Sequence, residues 1–478
     1  MVKFGEWLPD QPHIDGALTD AKNVVPYGQH YRSMPTLAAV TTTEVAGDVL
    51  GAFATRLVGN SSKTYVGTQD KLYERAGAAW TDVSKSGGYA INTGRWQFTQ
   101  WEDDVYAVSL DTVMQKQTAA AGNFADVSGG PKAACVANVR EWVVVGDVDE
   151  ASVLFPHKIR WCAIGNPSDW TPSASTQADS QELDAVDGRV MGIAGGEFGL
   201  IFQQHSITRM QYIGAPIVWQ FDKIDNRNGC EAPGSIVQVG REVYFLSHDG
   251  FRVTDGSGGS IAIGDGKIDK WFDALLYTAL KSQITGAYDP SKRAIFWSFP
   301  SGNAANNYML VYALASKRWA YIGYGVTHIF NGAAASVTVE GLDAYSTNLD
   351  TLLPALDSAF WIGGEQFFMA MSGRILYTFS GTPGTAILTT SEMELNPGMR
   401  TRIEAIEPVI DVSSTVSIGG RVTPTGTVTY TGESVAHSRT GAASFRHVSR
   451  WHRFRFSIAG AFTEAAGFNV RSKMEGAQ

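Results

Sequence analysis

The sequence lacks long apolar runs and has little charge, and each absence excludes a class of protein. No stretch of about 18 or more apolar residues occurs, so we expect no membrane-spanning helix. The first residues, MVKFGEWLPDQPHIDG, contain no apolar core of a secretory signal, which predicts a protein made and kept in the cytosol. Charged residues make up only 18% and the net charge is −9, so a general nucleic-acid binder, which needs a basic surface, is not expected.

Cysteine and the motifs of common enzymes are also scarce or missing. The three cysteines, Cys135, Cys162 and Cys230, match no zinc spacing and suit no disulfide framework, so we predict reduced, buried thiols. No Gly-x-Ser-x-Gly, His-Glu-x-x-His or EF-hand loop occurs. His447 and His452 have metal-ligand spacing, but neighbouring arginines disfavour a cation there. We therefore predict that the protein is not an enzyme and has no catalytic residues, no metal and no cofactor.

The sequence does contain a repeat of short β-like runs, and its 51 Gly and 13 Trp favour many strands and tight turns. The clearest run, predicted as the third strand of each unit, begins at Thr64, Asp104, Trp142, Gly199, Glu242, Ala294 and Gln366. An alternating strand follows, and many units then close with an aromatic residue: Trp80, Phe124, Trp170, Trp219 and Trp319. The first four closing residues lie 44, 46 and 49 residues apart, which is the period of a four-stranded propeller blade.

This period predicts an all-β fold, a β-propeller of about seven four-stranded blades over residues 46–395, with six to eight blades allowed. Stacking blades in a ring buries both faces of each sheet and leaves only short edges. Residues 1–45 are predicted as an extended arm and 396–478 as a C-terminal β-sandwich-like domain. Two insertions are expected, an amphipathic helix near 265–282, capped by Asp265, and a polar loop near 340–357.

The one basic, aromatic cluster lies in the C-terminal domain. With strand alternation, Trp451, Arg453 and Arg455 share one face, and Phe454 and Phe456 share the other. The arginines could pair with acidic residues at a domain or subunit interface, form a solvated face, or contact DNA phosphates. The first two interpretations are favoured, because two or three arginines make a weak phosphate site. From residue 396 onward ten Lys/Arg face six Asp/Glu, about +4, which leaves about −13 for the rest.

Several phrases of the sequence resemble a known family. They are Phe4-Gly-Glu-Trp-Leu-Pro-Asp10 with Asn23-Val-Val-Pro-Tyr27, Arg160-Trp-Cys-Ala-Ile-Gly-Asn-Pro-Ser-Asp-Trp170, Leu356-Asp-Ser-Ala-Phe-Trp-Ile-Gly-Gly364 and Arg450-Trp-His-Arg-Phe-Arg-Phe456. Together they are similar to tail hub or nozzle proteins of short-tailed bacteriophages, also called packaged-DNA stabilisation proteins. No single motif is diagnostic; the resemblance rests on phrases dispersed over most of the chain.

The resemblance implies a structural virion protein, assembled in the host cytoplasm and located in the viral tail. It would form a homohexameric ring below the portal and its adaptor, closed by a needle, fibre or plug. Double-stranded DNA would pass through the lumen without specific binding, and an acidic wall would let it slide. The family supplies no catalytic residues.

Two alternatives remain open from the sequence. A carbohydrate-binding or glycan-cleaving propeller is favoured by the many Trp, which could stack on sugars, and disfavoured by the absence of a secretion signal and of sialidase-type Asp boxes. An intracellular interaction scaffold is disfavoured because the repeats lack Trp-Asp and kelch motifs.

Overall fold

The computed structural model describes residues 1–14, 16–58, 61–302, 306–333, 366–423 and 425–477. The polar loop predicted at 340–357 and the phrase from Leu356 to Gly364 lie outside the described residues. Five strands precede the repeats: β1 (Val2–Lys3), β2 (Leu18–Lys22), β3 (Val24–Tyr27), β4 (His30–Ser33) and β5 (Thr36–Ala39).

The described residues then form seven antiparallel sheets, blades 1 to 7. Blade 1 contains β6 (Gly51–Arg56), β7 (Ser62–Gly67), β8 (Leu72–Ala76) and β9 (Ala79–Asp82); blade 2 contains β10 (Gln97–Trp101), β11 (Asp104–Ser109), β12 (Thr112–Gln117) and β13 (Ala125–Asp126). Blade 3 contains β14 (Lys132–Val139), β15 (Trp142–Glu150), β16 (Val153–Trp161) and β17 (Asp179–Glu182); blade 4 contains β18 (Val190–Ala194), β19 (Gly199–Gln203), β20 (Ile207–Tyr212) and β21 (Trp219–Asp225). Blade 5 contains β22 (Val237–Val239), β23 (Glu242–Ser247), β24 (Gly250–Thr254) and β25 (Ile261–Ala262); blade 6 contains β26 (Thr285–Asp289), β27 (Ala294–Pro300), β28 (Asn306–Ala313) and β29 (Arg318–Ile322). Blade 7 contains β30 (His328–Ala333), β31 (Gln366–Ser372) and β32 (Ile375–Gly381), and it takes its fourth strand from β5.

The seven sheets make a closed β-propeller, as the repeat predicted. The first strands of the blades lie nearest the axis, and β30 of blade 7 contacts β6 of blade 1, which closes the ring. Strand β5 completes blade 7 by pairing with β32, Ala39 opposite Tyr377 and Ala38 opposite Thr378. Because this fourth strand comes from the other end of the chain, the first and last parts of the propeller are joined by a ladder of hydrogen bonds.

The position of the strongest runs within each blade differs from the prediction. The runs beginning at Asp104, Trp142 and their equivalents are the second strands, not the third, and the alternating runs are the third strands. Second strands are covered on both faces by neighbouring blades, which is why they are so continuously apolar: every residue from Trp142 to Val148 in β15 is buried. The fourth strand of blade 3 is β17, whereas Trp170 lies in a preceding loop, where its indole N–H donates to the carbonyl of Pro167 (2.8 Å).

The predicted helix is shorter than expected and is capped differently. Helix α1 spans Asp269–Leu275, and a 3-10 turn follows at Thr278–Gln283; the other 3-10 turns are Thr118–Ala120, Ala185–Asp187 and Pro233–Ser235. Asp265 does not cap the helix. Instead the carboxylate of Asp10, from the N-terminal segment, accepts the backbone N–H groups of Lys270 and Trp271 (both 2.9 Å).

The C-terminal residues form a two-sheet sandwich with the first strands of the chain. Its strands are β33 (Ala386–Thr390), β34 (Met399–Ile410), β35 (Ser414–Arg421), β36 (Thr429–Tyr430), β37 (Ser434–Val435), β38 (Ala443–Ser449), β39 (Trp451–Ile458) and β40 (Ala465–Ala477). One sheet has the order β3-β4-β40-β34-β38, with β1 on β40. The other runs β2-β33-β39-β35, with β36 and β37 on β35, and is continuous with blade 6 through β2 and β29.

The sandwich core is aromatic and includes Phe4, from the N-terminal segment. The ring of Phe468 lies 4.9 Å from those of Phe454 and Phe456, and Phe4 lies 5.1 Å from Phe456. All four side chains are buried, and they belong to one cluster that continues into blades 5 to 7. Residues 1–45, for which the sequence predicted an extended arm, therefore supply strands to both the sandwich and the propeller.

Candidate functional site

The residues singled out from the sequence lie on β39, in the middle of the sheet between β33 and β35. The strand alternates strictly: His452, Phe454 and Phe456 are fully buried, while Trp451, Arg453 and Arg455 are half-exposed on the outer face. This is the distribution that strand periodicity requires when one face of a sheet covers a core. We call the outer side chains Arg421, Arg450, Trp451, Arg453 and Arg455 the arginine face.

Three of the four arginines of the arginine face make ion pairs within the sandwich, with two carboxylates. The carboxylate of Glu392 accepts Arg421 Nη2 at 2.6 Å and Arg453 Nη2 at 3.3 Å, and the Glu392 side chain is only 11% exposed. Arg450 Nε pairs with Glu394 at 2.6 Å. The acidic partners of these arginines therefore come from the short segment after β33, not from another domain.

The remaining groups of the arginine face are held by ring contacts. The Arg455 guanidinium lies 4.4 Å from the ring centre of Tyr430, and that of Arg450 lies 4.3 Å from the ring of Trp451. Arg455 also lies near Asp20: burial raises the pKa of that carboxyl, while the hydroxyl of Tyr321 and the Arg455 charge act in the opposite direction. The side chains of the arginine face are held by ion pairs and ring contacts, and the acidic partners among them make the face poorly suited to binding phosphates.

Cations without partners lie instead at the neighbouring sheet edge, which the sequence did not single out. Strand β38 is an edge strand and pairs with β34. Arg446 on β38 and Arg439 in the loop before it are exposed, and neither has an ion pair in the part of the chain that the structure describes. Val448 on the same strand is 40% exposed. We call Arg439, Arg446 and Val448 the β38 edge.

His447 and His452, the pair with metal-ligand spacing in the sequence, lie close together in the sandwich. Their ring centres are 5.7 Å apart. Burial, helped by the neighbouring His447, lowers the pKa of His452 to about 4. Over the residues that are described, no group of three or more His, Cys, Asp or Glu side chains could hold a metal ion.

Two further groups bear on possible chemistry. Cys135, Cys162 and Cys230 are free and buried, and burial raises the pKa of the Cys162 and Cys230 thiols to about 12. A buried thiol with a raised pKa is a poor nucleophile. Within the described ranges no helix is long and apolar enough to cross a bilayer.

Comparison with known proteins adds little. No protein-family model and no curated sequence matches the chain. Among solved structures, the computationally designed Ika8 protein is similar with a TM-score of 0.37 and 12% identity, over 62% of this chain and 93% of that one. BamB from Moraxella catarrhalis has a TM-score of 0.36 and 9% identity, over 64% of this chain and 87% of that one. Neither likeness carries a functional argument, so the propeller assignment depends on the strand pairing, and the resemblance to tail hub proteins stays a prediction.

Proposed function

We propose that the chain is a non-enzymatic structural virion protein, the tail hub or nozzle subunit of a short-tailed bacteriophage. In this proposal several copies, six by the family resemblance, form a ring below the portal and adaptor. The ring holds packaged DNA and later lets it leave through the lumen.

The observation that carries the proposal is the uneven distribution of charge along the chain, together with the exposed arginines of the β38 edge. Residues from 396 onward contain ten Lys/Arg and six Asp/Glu, while the whole chain has a net charge of −9. The sandwich is attached at blade 6 and presents the β38 edge, where Arg439 and Arg446 make no ion pair with any described residue. The C-terminal stretch of sequence is therefore net basic and the rest of the chain net acidic, and exposed arginines of the basic stretch lie at the β38 edge.

This arrangement favours a head-to-tail contact, in which the basic edge of one subunit meets the acidic propeller of the next. Head-to-tail contacts repeat and generate rings when the rotation closes. Complementary charge mainly sets the partner and the register of such a contact. An edge strand such as β38 also presents free backbone groups on its outer side, which a neighbouring chain can use.

The same charge distribution suits a DNA conduit. With the basic residues engaged between subunits, the lumen wall would be acidic and would not hold phosphates. In this proposal the DNA path is the hole between subunits, and not the axis of a single propeller.

The test is negative-stain electron microscopy of the purified protein, alone and mixed with virion extract. We expect rings with a central hole that dock on tail or portal particles. The double variant Arg439→Glu/Arg446→Glu should remain folded and lose ring formation. Arg227→Glu/Arg293→Glu is the matched control, because both arginines are exposed on the propeller without ion pairs in the described structure. Monomeric discs under all conditions, without binding to virion parts, would exclude the proposal.

The carbohydrate-binding alternative loses part of its support from the packing of Trp. Eight described Trp are buried: Trp7, Trp96, Trp142, Trp161, Trp170, Trp219, Trp297 and Trp319. Buried indoles contribute to blade packing and cannot stack on a sugar. If the protein stays monomeric, glycan-array binding is the measurement that decides for the alternative.

A further inference from the structure

A cavity of about 660 Å³ opens on the propeller axis at the end where the first strands begin. Six blades contribute the start of their first strand to the lining, from Gly51 of blade 1 to His328 of blade 7, and blade 5 contributes Ile236, directly before its first strand. Cavities of about 300 to 1,000 Å³ with a few converging polar groups are typical of small-molecule sites. The lining of this cavity has three properties of such a site.

The first property is an unbalanced positive charge. Arg95, two residues before β10, is half-buried in the lining and has no hydrogen bond or ion pair in the described residues. Burial lowers the pKa of its guanidinium, because a buried cation loses its hydration. The two acidic lining residues are already paired, Asp147 with Arg189 (2.5 Å) and Glu231 with Lys281.

The second property is a set of buried polar atoms that have no hydrogen-bond partner among the described residues. They are Nδ1 of His328, Oγ1 of Thr285 and Oδ1 of Asp147. These residues are 8%, 6% and 1% exposed, and all three belong to the lining. Burial, with the nearby Arg95 charge, lowers the pKa of His328 to about 3, so its ring is neutral at pH 7. Leaving buried polar atoms unpaired costs free energy, and native proteins usually pair them with protein, water or ligand.

The third property is an aromatic wall on blades 1 and 2. The rings of Phe53 and Phe98 are parallel within 7° at 5.7 Å, and both side chains are half-exposed in the lining. Trp96 lies behind them, 6.4 Å from Phe98. Side chains that are apolar, half-exposed and adjacent to a free arginine favour a ligand with a flat apolar part beside its charge.

We propose that this cavity binds a small organic anion, with its carboxylate or phosphate on Arg95 and its apolar part against Phe53 and Phe98. His328 and Thr285 supply further hydrogen bonds from blades 7 and 6. A guanidinium fork suits either oxyanion, because both accept two parallel N–H groups. No residue of the β38 edge, where the proposed ring contact begins, belongs to the lining of this cavity.

The test uses three probes, benzoate, phenyl phosphate and inorganic phosphate, in isothermal titration calorimetry and ligand-observed NMR with the full chain. We expect at least one of the aromatic anions to bind more tightly than inorganic phosphate. Benzoate and phenyl phosphate compared with each other identify the preferred oxyanion. Arg95→Gln should weaken binding by about tenfold or more, since it removes a charge-assisted hydrogen bond.

Two further variants separate a binding role from a change of fold. Arg227→Gln removes an exposed arginine outside the lining and should leave affinity unchanged. Phe98→Leu should weaken the aromatic probes while leaving inorganic phosphate unaffected. The proposal is overturned if no probe binds up to about 10 mM, or if Arg95→Gln and Arg227→Gln bind equally well. Ring formation by Arg95→Gln should be normal, so this result is independent of the tail proposal.

Discussion

Replacing the buried Asp269 by asparagine should change how the stability of the protein depends on pH. Asp269 is the first residue of helix α1 and is 8% exposed. Gly250 and Gly264 pack directly on its carboxyl group, and a side chain at either glycine would collide with it. One oxygen accepts the N–H of Phe251 at 3.3 Å, and the other has no partner within the described structure.

The magnitude follows from the shift in pKa. Burial raises the pKa of Asp269 from 3.8 to about 7; the Phe251 N–H opposes this, and neighbouring carboxylates, among them Asp273 and Asp10, add to it. The folded state therefore holds a proton that the unfolded state releases, so this group favours folding below about pH 4, and the contribution is lost as pH rises to about 7. At about 1.4 kcal/mol per pKa unit, some 2.5 kcal/mol should disappear between about pH 5 and pH 8.

The assay is urea unfolding followed by Trp fluorescence at both pH values. The Asp269→Asn variant lacks the titration, so relative to wild type it should gain about 2.5 kcal/mol between about pH 5 and pH 8. Asp48→Asn is the control, because that side chain is 88% exposed and its difference from wild type should be the same at both pH values. An equal difference at both pH values for Asp269→Asn would refute the reasoning.

Two other substitutions test the sandwich. Burial lowers the pKa of His452 from 6.5 to about 4, so the unfolded state binds the proton first and stability falls as the pH drops from about 6.5 to 4. His452→Phe should therefore move the midpoint of acid unfolding, measured by circular dichroism, to lower pH. An unchanged midpoint would contradict this. Phe468→Ala removes a fully buried ring and should lower the free energy of unfolding in urea by about 3 to 5 kcal/mol. Met474→Ala, at a 65% exposed position, is the control and should lower it little. Equal losses of stability would show that the ring is not a core contact.

Local patterns were sufficient to predict the repeated strands and the class of fold. The apolar run of β15 and the alternation of β39 depend only on which faces of a strand are covered, so their periodicity is visible in the sequence. The order of strands within a blade was not visible, because second and third strands differ only in how completely they are buried.

The candidate sites were predicted only in part. The sequence correctly placed Trp451, Arg453 and Arg455 on one face, but the partner Glu392 lies about sixty residues earlier and was not identified. The cavity on the axis was not predicted at all. Its residues come from seven blades, and a single residue such as Arg95 before a strand has no local pattern that marks it as a lining residue.

The sequence by itself determined where strands form and that they repeat, because hydrophobic alternation and turn residues act over a few neighbouring positions. Only the tertiary structure decided which strands pair across the chain. The first 45 residues contribute β5 to blade 7 and β1 to β4 to sheets that contain the C-terminal sandwich strands, and Asp10 caps a helix some 260 residues away. Such pairings satisfy edge strands and helix ends that have no partner nearby in sequence, so their selection depends on the assembled core.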